Sequence, residues 1–515
     1  MKIFIMLLLL ASNLVWADSV AKRPIEQANK PSLPDSQVIS RYLAALDKTS
    51  DHAKLVQLGR SAGGRPIEAL LFSGSAAFLQ NPASETDKAT VMLLGSQHGN
   101  EPAGAEAMLQ LARELGAGQH SALLQQLNLV LVVMANPDGR DLATRHNANN
   151  DNTNIDFVAL QASETRLLVD ALHRFNPDVV YDAHESGIWK RVLTKEQGWM
   201  TDVEAQFDMG NNPNIDKALH DYTEHTLLPA LIERVSAAGL PASRYRGEIT
   251  RLEQSVARGG LGITNLRNYA ALQGRVSILV ENRLDNKGGT YATPQNIAER
   301  VRKQHLSMLT MLQLIADEAD RLLKVSRQAR RQWASGAKGE QVLSMDFGFG
   351  VNRRQPEVQL PLVRLADGHK AWHRFANHDA VLRRQSVALP VAYAITRERE
   401  RMAQWLARHH ITFTTLAEPR LLMADQLVIT GVQTQESVRS GGREKVQAEV
   451  EVSRQAVTLQ AGDVWVPMDQ PLAPLAALML DPRSANALYQ EQPWSWLALG
   501  EFPVFPVVEP LTEAP

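Results

Sequence analysis

A chain of 515 residues is longer than one hydrophobic core usually serves, so two domains are expected. Apolar residues make up 44% and charged residues 21%, a globular balance that excludes an extended disordered chain, and a formal charge of −2 gives no basis for nucleic-acid binding. The absence of cysteine excludes disulfides and lipid attachment at a thiol; a chain of this size can still fold in an exported compartment on its core alone.

The first residues read as an address. Lys2 precedes the apolar run Ile3 to Leu10, and Val15-Trp16-Ala17 offers residues that a signal peptidase accepts, so residues 1–17 are expected to be a cleavable signal with a mature start near Asp18. The run is too short to span a bilayer comfortably, and no later segment is long and apolar enough, so no stable membrane insertion is expected after cleavage. A periplasmic or secreted location follows.

Pro24, Pro31 and Pro34 make a loose entry, after which Val38 to Leu46 suits a helix. Val91 to Leu94 is a strand, followed by a helix over Ala103 to Leu115 with Ala107, Leu109, Leu111 and Ala112 among its apolar positions. Leu127 to Met134 is too continuously apolar for a half-exposed strand and suits a buried central one. A helix over Thr165 to Phe175 then leads to a strand over Asp178 to Ala183, and Val276 to Val280 forms a later strand. Strands separated by helices predict an α/β domain with a mostly parallel or mixed sheet flanked by helices, covering residues 18–335.

Pro294 to Trp333 reads as one long helix closing that domain, with Ile297, Val301, Leu309, Leu312 and Leu323 on its apolar positions. Past Ala337-Lys338-Gly339 the pattern changes. Val446 to Val452 alternates, and Ala456 to Val466 predicts a hairpin around Gly462-Asp463. One helix, Arg397 to His409, places Met402, Trp405, Leu406 and His409 on one face. Residues 336–515 are therefore expected to form a smaller β-rich or α+β accessory domain, without a motif that tells its role.

The chemistry gathers in the first domain. In sheets of this kind ligands collect at the carboxyl ends of the strands. His98 and Glu101 lie three apart in Gly95-Ser96-Gln97-His98-Gly99-Asn100-Glu101-Pro102, a turn between a strand and a helix. With 14 histidines such a pair arises by chance about once, and a turn histidine beside a capping glutamate is the plain alternative. The setting raises it: one rigid turn can present an imidazole and a carboxylate to a single Zn²⁺, leaving room for a third ligand and a water. His184, in Asp182-Ala183-His184-Glu185, ends another strand and is the candidate third ligand, with Asp182 or Glu185 available to orient an imidazole from behind. Glu281 closes a third strand, where burial raises a carboxyl pKa toward a general base's range; pairing with Arg283 is the alternative. Arg145, in the Asn-rich loop after Asn136-Pro137-Asp138-Gly139, suits an oxyanion stabiliser, although turn chemistry alone explains much of that loop.

Taken in order, these segments resemble the zinc carboxypeptidases of the M14 family, in particular their secreted bacterial branch, over roughly residues 50 to 320. The resemblance implies a mixed eight-stranded sheet, one zinc ion held by His98, Glu101 and His184, a glutamate base at Glu281 assisting attack of water at the metal, and Arg145 polarising the scissile carbonyl. It also implies Asn154 as a substrate contact, with Tyr269 the nearest candidate for a substrate-covering tyrosine and a core role the alternative. The region from Gly187 to Ile215, with Trp189, Trp199 and Phe207, suits a pocket rim.

One stretch departs from the family. Where it carries Asp-x-Asn-Arg, this chain reads Asn152-Thr153-Asn154-Ile155. Ile155 offers no donor to a substrate's terminal carboxylate, and Asn152 replaces an acid that supports a zinc-bound histidine. Either Arg267, Arg275 or Arg283 reads the carboxylate, or the substrate lacks a conventional one, as a cell-wall peptide or amide would. The expected function is a zinc metallocarboxypeptidase acting on peptides or peptide-like substrates. An amidase or deacylase on murein peptides or acyl-amino acids is the nearer alternative, and a non-catalytic zinc-containing binding protein the further one.

Overall fold

The computed structural model describes residues 22–27, 33–82, 87–187, 190–284, 296–334, 341–436, 444–491 and 500–510. The expected signal at 1–17, Trp189 and the Ala337-Lys338-Gly339 boundary lie outside them. Among the described residues no helix is long and apolar enough to cross a membrane.

After helix α1 (Ser36–Thr49), capped by Asp35 through the Val38 N–H, the chain forms a hairpin of β1 (Ala53–Arg60) and β2 (Pro66–Phe72). β3 (Ala89–Leu94) leads into α2 (Ala103–Gly116), and β4 (Leu127–Val132) precedes α3 (Ser163–Phe175) and β5 (Val179–Ser186). A short strand, β6 (Trp199–Thr201), leaves the main sheet; β7 (Ala205–Met209), β8 (Ala242–Arg244), helix α4 (Leu266–Ala271) and β9 (Val276–Arg283) return to it. The sheet has eight strands in the order β1-β2-β4-β3-β5-β9-β7-β8. Its centre, β4-β3-β5-β9, is parallel, and the flanking pairs β1-β2, β2-β4 and β7-β9 are antiparallel. All six residues of β3 and of β4 are buried, as strands covered on both faces require. The fold is thus mixed α/β with helices flanking the sheet.

The expected long helix is two. α5 (Ile297–Asp317) ends at Glu318, whose φ of −102° and ψ of 10° leave the helical range, and α6 (Ala319–Ala334) restarts beyond it. The apolar stripe carries through the kink with Leu312, Ile315, Leu322 and Leu323 all buried, which is why periodicity alone joined the two.

The C-terminal part is β-rich: β10 (Val342–Gly350), β11 (Glu357–Arg364), β12 (Lys370–Ala376), β13 (Ala380–Ala388) and β14 (Ala392–Ile395) come before α7 (Arg399–Arg408). After it come β15 (Thr414–Thr415), β16 (Arg420–Glu436), β17 (Glu444–Leu459), β18 (Val464–Pro467), β19 (Gly500–Glu501) and β20 (Val504–Pro510). The expected hairpin across Gly462 is corrected: β17 pairs with β16, whereas β18 pairs with β14 and β15. Gly462, at φ 91°, turns the chain between two strands that do not bond each other.

The C-terminal part does not stand apart. One hydrophobic cluster runs from Ile39 through Met345, Tyr393, Trp405 and Leu478. β11 pairs with β6, setting Leu362 opposite Thr201 and Arg364 opposite Trp199, so the second part extends a strand of the first. Val256 bridges Asn377, and Leu193, Ile249 and Val256 pack with Val358, Leu362 and Phe375. Asn214 closes another seam, its side chain accepting from the Ser344 N–H at 2.7 Å and donating to the Ser344 carbonyl at 2.9 Å.

Candidate metal centre

β3, β5 and β9 are parallel neighbours, and their carboxyl ends bring three functional side chains to one edge. His98 lies in the turn after β3. His184 and Glu281 lie within β5 and β9 as direct register partners, so they share a face of the sheet.

The turn holding His98 is shaped by contact. A Cβ on Gly99 would meet the Gly139 carbonyl carbon at 1.9 Å, so only glycine lets this turn lie on the Asn136-Pro137-Asp138-Gly139 turn. Asn136 caps that second turn, accepting from the Gly139 N–H at 2.8 Å. Ser96 adopts a left-handed φ of 53°, backbone strain held by these contacts. Behind Pro102, Glu106 is fully buried and paired with Arg140, tying α2 to the same turn.

Nδ1 of His98 and Nδ1 of His184 are 3.1 Å apart. The Glu101 carboxylate closes the set, with Oε1 2.9 Å from His98 Nδ1 and Oε2 3.0 Å from His184 Nδ1. All three residues are buried. Two imidazole nitrogens aimed at one another and at a carboxylate, away from water, form an uneconomical hydrogen-bond network but a good cation cage. Their separation is compatible with two zinc–nitrogen bonds of about 2.0–2.1 Å. The residues present therefore fit a divalent ion such as Zn²⁺.

Behind the ligands the two histidines differ. Asp182 stands 3.1 Å from His184 Nε2 and is itself held by the Gln97 amide at 2.7 Å, which fixes that ring. Glu185 serves elsewhere: it pairs with Arg300 at 2.7 and 2.8 Å and accepts from the Ala103 N–H at the start of α2. Nε2 of His98 is buried without a hydrogen-bond partner. Asn152 uses its side chain to accept from the Asn154 N–H at 3.2 Å.

The electrostatics before any cation binds follow from burial and crowding. Burial would raise the Glu101 pKa, but the His98 and His184 imidazoles reverse this and hold it well below the usual carboxylate range. Burial pushes His98 down. His184 would follow, but Asp182 and Glu101 hold it well above an ordinary imidazole. Glu281 keeps a partly exposed surface, and desolvation of its carboxylate raises it to about 7, with the negative charges of Glu101 and Asp182 adding to the shift. Arg145 reaches in from the loop, 3.4 Å from Glu101, with 46% of its side chain exposed.

Other expected site residues lie differently. Asn154 is half-buried in a single turn, Thr153–Ile155, docked beside the metal cage through the Thr153 hydroxyl, which donates to the Gln97 carbonyl at 2.9 Å. Tyr269 is corrected: it is 1% exposed on α4, and its hydroxyl bonds His409 of the C-terminal part at 2.8 Å, so it belongs to the core between the two parts. Phe207 is fully buried and Trp199 packs on the β11 cluster, so neither forms a pocket rim. The three arginines considered as substitutes for Ile155 are occupied. Arg267 pairs with Asp208, Arg275 holds the Leu172 carbonyl, and Arg283 pairs with Glu204 rather than Glu281. Sequence reasoning left Tyr245 unremarked, a half-buried side chain whose phenol is raised first by burial and then by the negative charge of Glu281. It follows an edge strand of three residues, too short to leave a periodic signal.

Residues 39–169 match the Peptidase_M14 family, described as zinc carboxypeptidase. "Probable carboxypeptidase 2" of Arthroderma benhamiae is 28% identical over 280 residues, 54% of this chain and 52% of that protein. "Carboxypeptidase 2" of Trichophyton rubrum is 27% identical over the same length, 54% of this chain and 51% of the relative. Among solved structures, a metallo-carboxypeptidase from Burkholderia cenocepacia aligns at 19% identity with a TM-score of 0.42, covering 55% of this chain and 69% of that one. The chain spans about half the length of the curated relatives it matches. The fold and the His-Glu-His cage are thus those of a chain with a carboxypeptidase-like domain. Within it, residues 39–169 match the M14 zinc carboxypeptidase family.

Proposed function

We propose that this chain is an exported zinc-dependent metallocarboxypeptidase that hydrolyses peptide bonds at or near a substrate's C-terminus. The observation that carries this reading is the cage itself: Nδ1 of His98, Nδ1 of His184 and the Glu101 carboxylate converge in a buried site with Glu281 in register beside His184. A bound Zn²⁺ would supply Lewis acidity to a substrate carbonyl and to water. Glu281, with a pKa near neutrality, accepts a proton from the attacking water and returns it to the leaving amine. Arg145, exposed at the opening, donates to the carbonyl oxygen as negative charge develops. Asn154, on the turn beside His98, contacts the departing residue. Export rests on the apolar run and small residues before Asp18.

The test compares wild type with Glu281→Gln for zinc content and for turnover on a peptide library. Retained zinc with turnover reduced about 10²–10⁴-fold is expected. Equal activity of the two proteins rejects the assignment.

Ile155, which has no donor for a terminal carboxylate, favours the second reading, an amidase or deacylase on murein peptides or acyl-amino acids. Matched peptides with free and amidated C-termini separate the two: hydrolysis that survives amidation supports the second reading. A zinc-loaded protein that turns over none of these substrates would be a binding protein.

A further inference from the structure

The carboxyl end of β5 carries more than a metal ligand. Side chains alternate along a strand, so His184 faces the cage and Glu185 the other side, toward α2 and α5. α2 lies close there: a Cβ on Gly104 would come within 3.0 Å of the Ala183 Cβ. Glu185 and the segment that opens α2 exchange two hydrogen bonds. The Glu185 N–H donates to Oε2 of Glu101 at 3.1 Å, and Oε2 of Glu185 accepts from the Ala103 N–H at 3.0 Å. One residue thus grips the chain on both sides of Pro102. The oxygen it holds on Glu101 is the one that lies 3.0 Å from His184 Nδ1.

This grip is braced from behind by α5. Arg300, Lys303, Gln304 and Ser307 recur at helical spacing and are all buried, a polar stripe where a packed helix ordinarily places apolar residues. Nε and Nη2 of Arg300 donate to the two carboxylate oxygens of Glu185 at 2.7 and 2.8 Å. One turn on, the Gln304 amide donates to the His184 carbonyl at 2.7 Å. Lys303 reaches elsewhere, pairing with Glu204 and donating to the Arg283 carbonyl at 3.3 Å. A buried ion pair often stabilises a fold no more than apolar residues of the same volume, because desolvating both charges offsets their attraction. What the Arg300–Glu185 pair does supply is direction, since a two-pronged contact fixes the plane of the carboxylate.

We propose that Arg300 and Gln304 are positioning residues for the metal cage. Arg300 acts through Glu185 on Glu101, and Gln304 acts through the strand backbone on His184. One helix thereby orients ligands from two separate segments toward the same cation. The proposal rests on the reading of His98, Glu101 and His184 as zinc ligands.

The test is metal binding by the full chain, read without turnover. Zinc affinity is measured by competition with a chromophoric chelator, and ligand geometry by the visible spectrum of the Co²⁺-substituted protein. Arg300→Met combined with Glu185→Met replaces the buried pair by apolar side chains of similar length, so the metal-free protein should melt close to wild type. Its zinc affinity should nevertheless fall about 10–100-fold, with the Co²⁺ bands displaced. Arg300→Lys keeps a charge on Glu185 without the fork and should fall between. Gln304→Met should lower affinity by a smaller factor. Lys303→Met, on the same stripe and as deeply buried, should leave affinity and spectrum as in wild type even where it lowers the melting temperature. An equal loss of affinity in Lys303→Met would show that α5 acts by docking alone, and would overturn the proposal. Wild-type affinity in the Arg300→Met/Glu185→Met protein would do the same. If that protein does not fold, Arg300→Lys and Gln304→Met decide, and wild-type affinity in both rejects the role. A wild type that binds no zinc would instead defeat the metal reading itself, and the positioning role with it.

Discussion

Acidification is expected to weaken the seam between the sheet domain and the C-terminal part through one imidazole. His409 is 1% exposed, its Nδ1 accepts from the Tyr269 hydroxyl at 2.8 Å, and its Nε2 donates to the Val158 carbonyl at 3.1 Å. Trp405 donates to the same carbonyl at 3.0 Å. Among the described residues no carboxylate faces the ring to stabilise a charge, and burial, with His410 and Arg408 adding to it, lowers its pKa from 6.5 to about 3. A group with a depressed pKa in the folded state must be neutral to fold. Its contribution is full above pH 6.5 and is lost as pH falls toward 3. At about 1.4 kcal/mol per unit the limit is roughly 5 kcal/mol, and about 2 kcal/mol is already lost by pH 5. Urea unfolding of wild type and His409→Gln at pH 7.5, 6 and 5 measures this. The variant starts less stable, but its stability should fall less with acid, the difference in slope amounting to about 2 kcal/mol over that range. Parallel curves for the two proteins would refute the reasoning.

Four further outcomes follow from the site. With Glu281 as the proposed base, kcat/KM should fall as pH drops through its pKa, at or below about 7. Arg145 holds that pKa down, so Arg145→Ala should move the acid limb upward, and an unmoved limb would show that the two charges do not interact. Asp182→Asn should weaken zinc retention about 10–100-fold in competition with a chelator, because His184 loses the carboxylate that orients it. Gly99→Ala forces a methyl group into the Gly139 backbone and should cost at least about 1–3 kcal/mol in urea unfolding together with loss of bound zinc. A stable, zinc-replete Gly99→Ala protein would mean that the two turns separate at little cost.

How much of this could be read in the sequence depended on whether the signal was local. The buried strands Ala89–Leu94 and Leu127–Val132 announce themselves by unbroken apolar runs, and the His98 turn by its glycines and the Pro102 that opens a helix. The hairpin Ala53–Arg60 with Pro66–Phe72 was missed because its first strand is half-exposed and only weakly alternating. The kink at Glu318 was hidden by an apolar stripe that continues through it. Pairing was least legible. Nothing in Ala456 to Val466 reveals that its two strands choose other partners, since register is a tertiary property. For the same reason the sequence left Tyr269 open between a substrate cover and a core residue, whereas an imidazole 140 residues away claims its hydroxyl. Asp182 behind His184 was one of two carboxylates at hand, and only the three-dimensional arrangement separates it from Glu185, which is occupied by Arg300.

The pairing of Trp199–Thr201 with Leu362–Arg364 has a consequence for synthesis. The ribosome has made every residue of the metal cage by position 184 and Glu281 soon after, yet the strand that pairs with Trp199–Thr201 waits for chain more than 70 residues further on. A nascent or truncated polypeptide would thus hold ligands and base while this edge of the first part is still unpaired. The seam between the two parts would therefore close only late in translation.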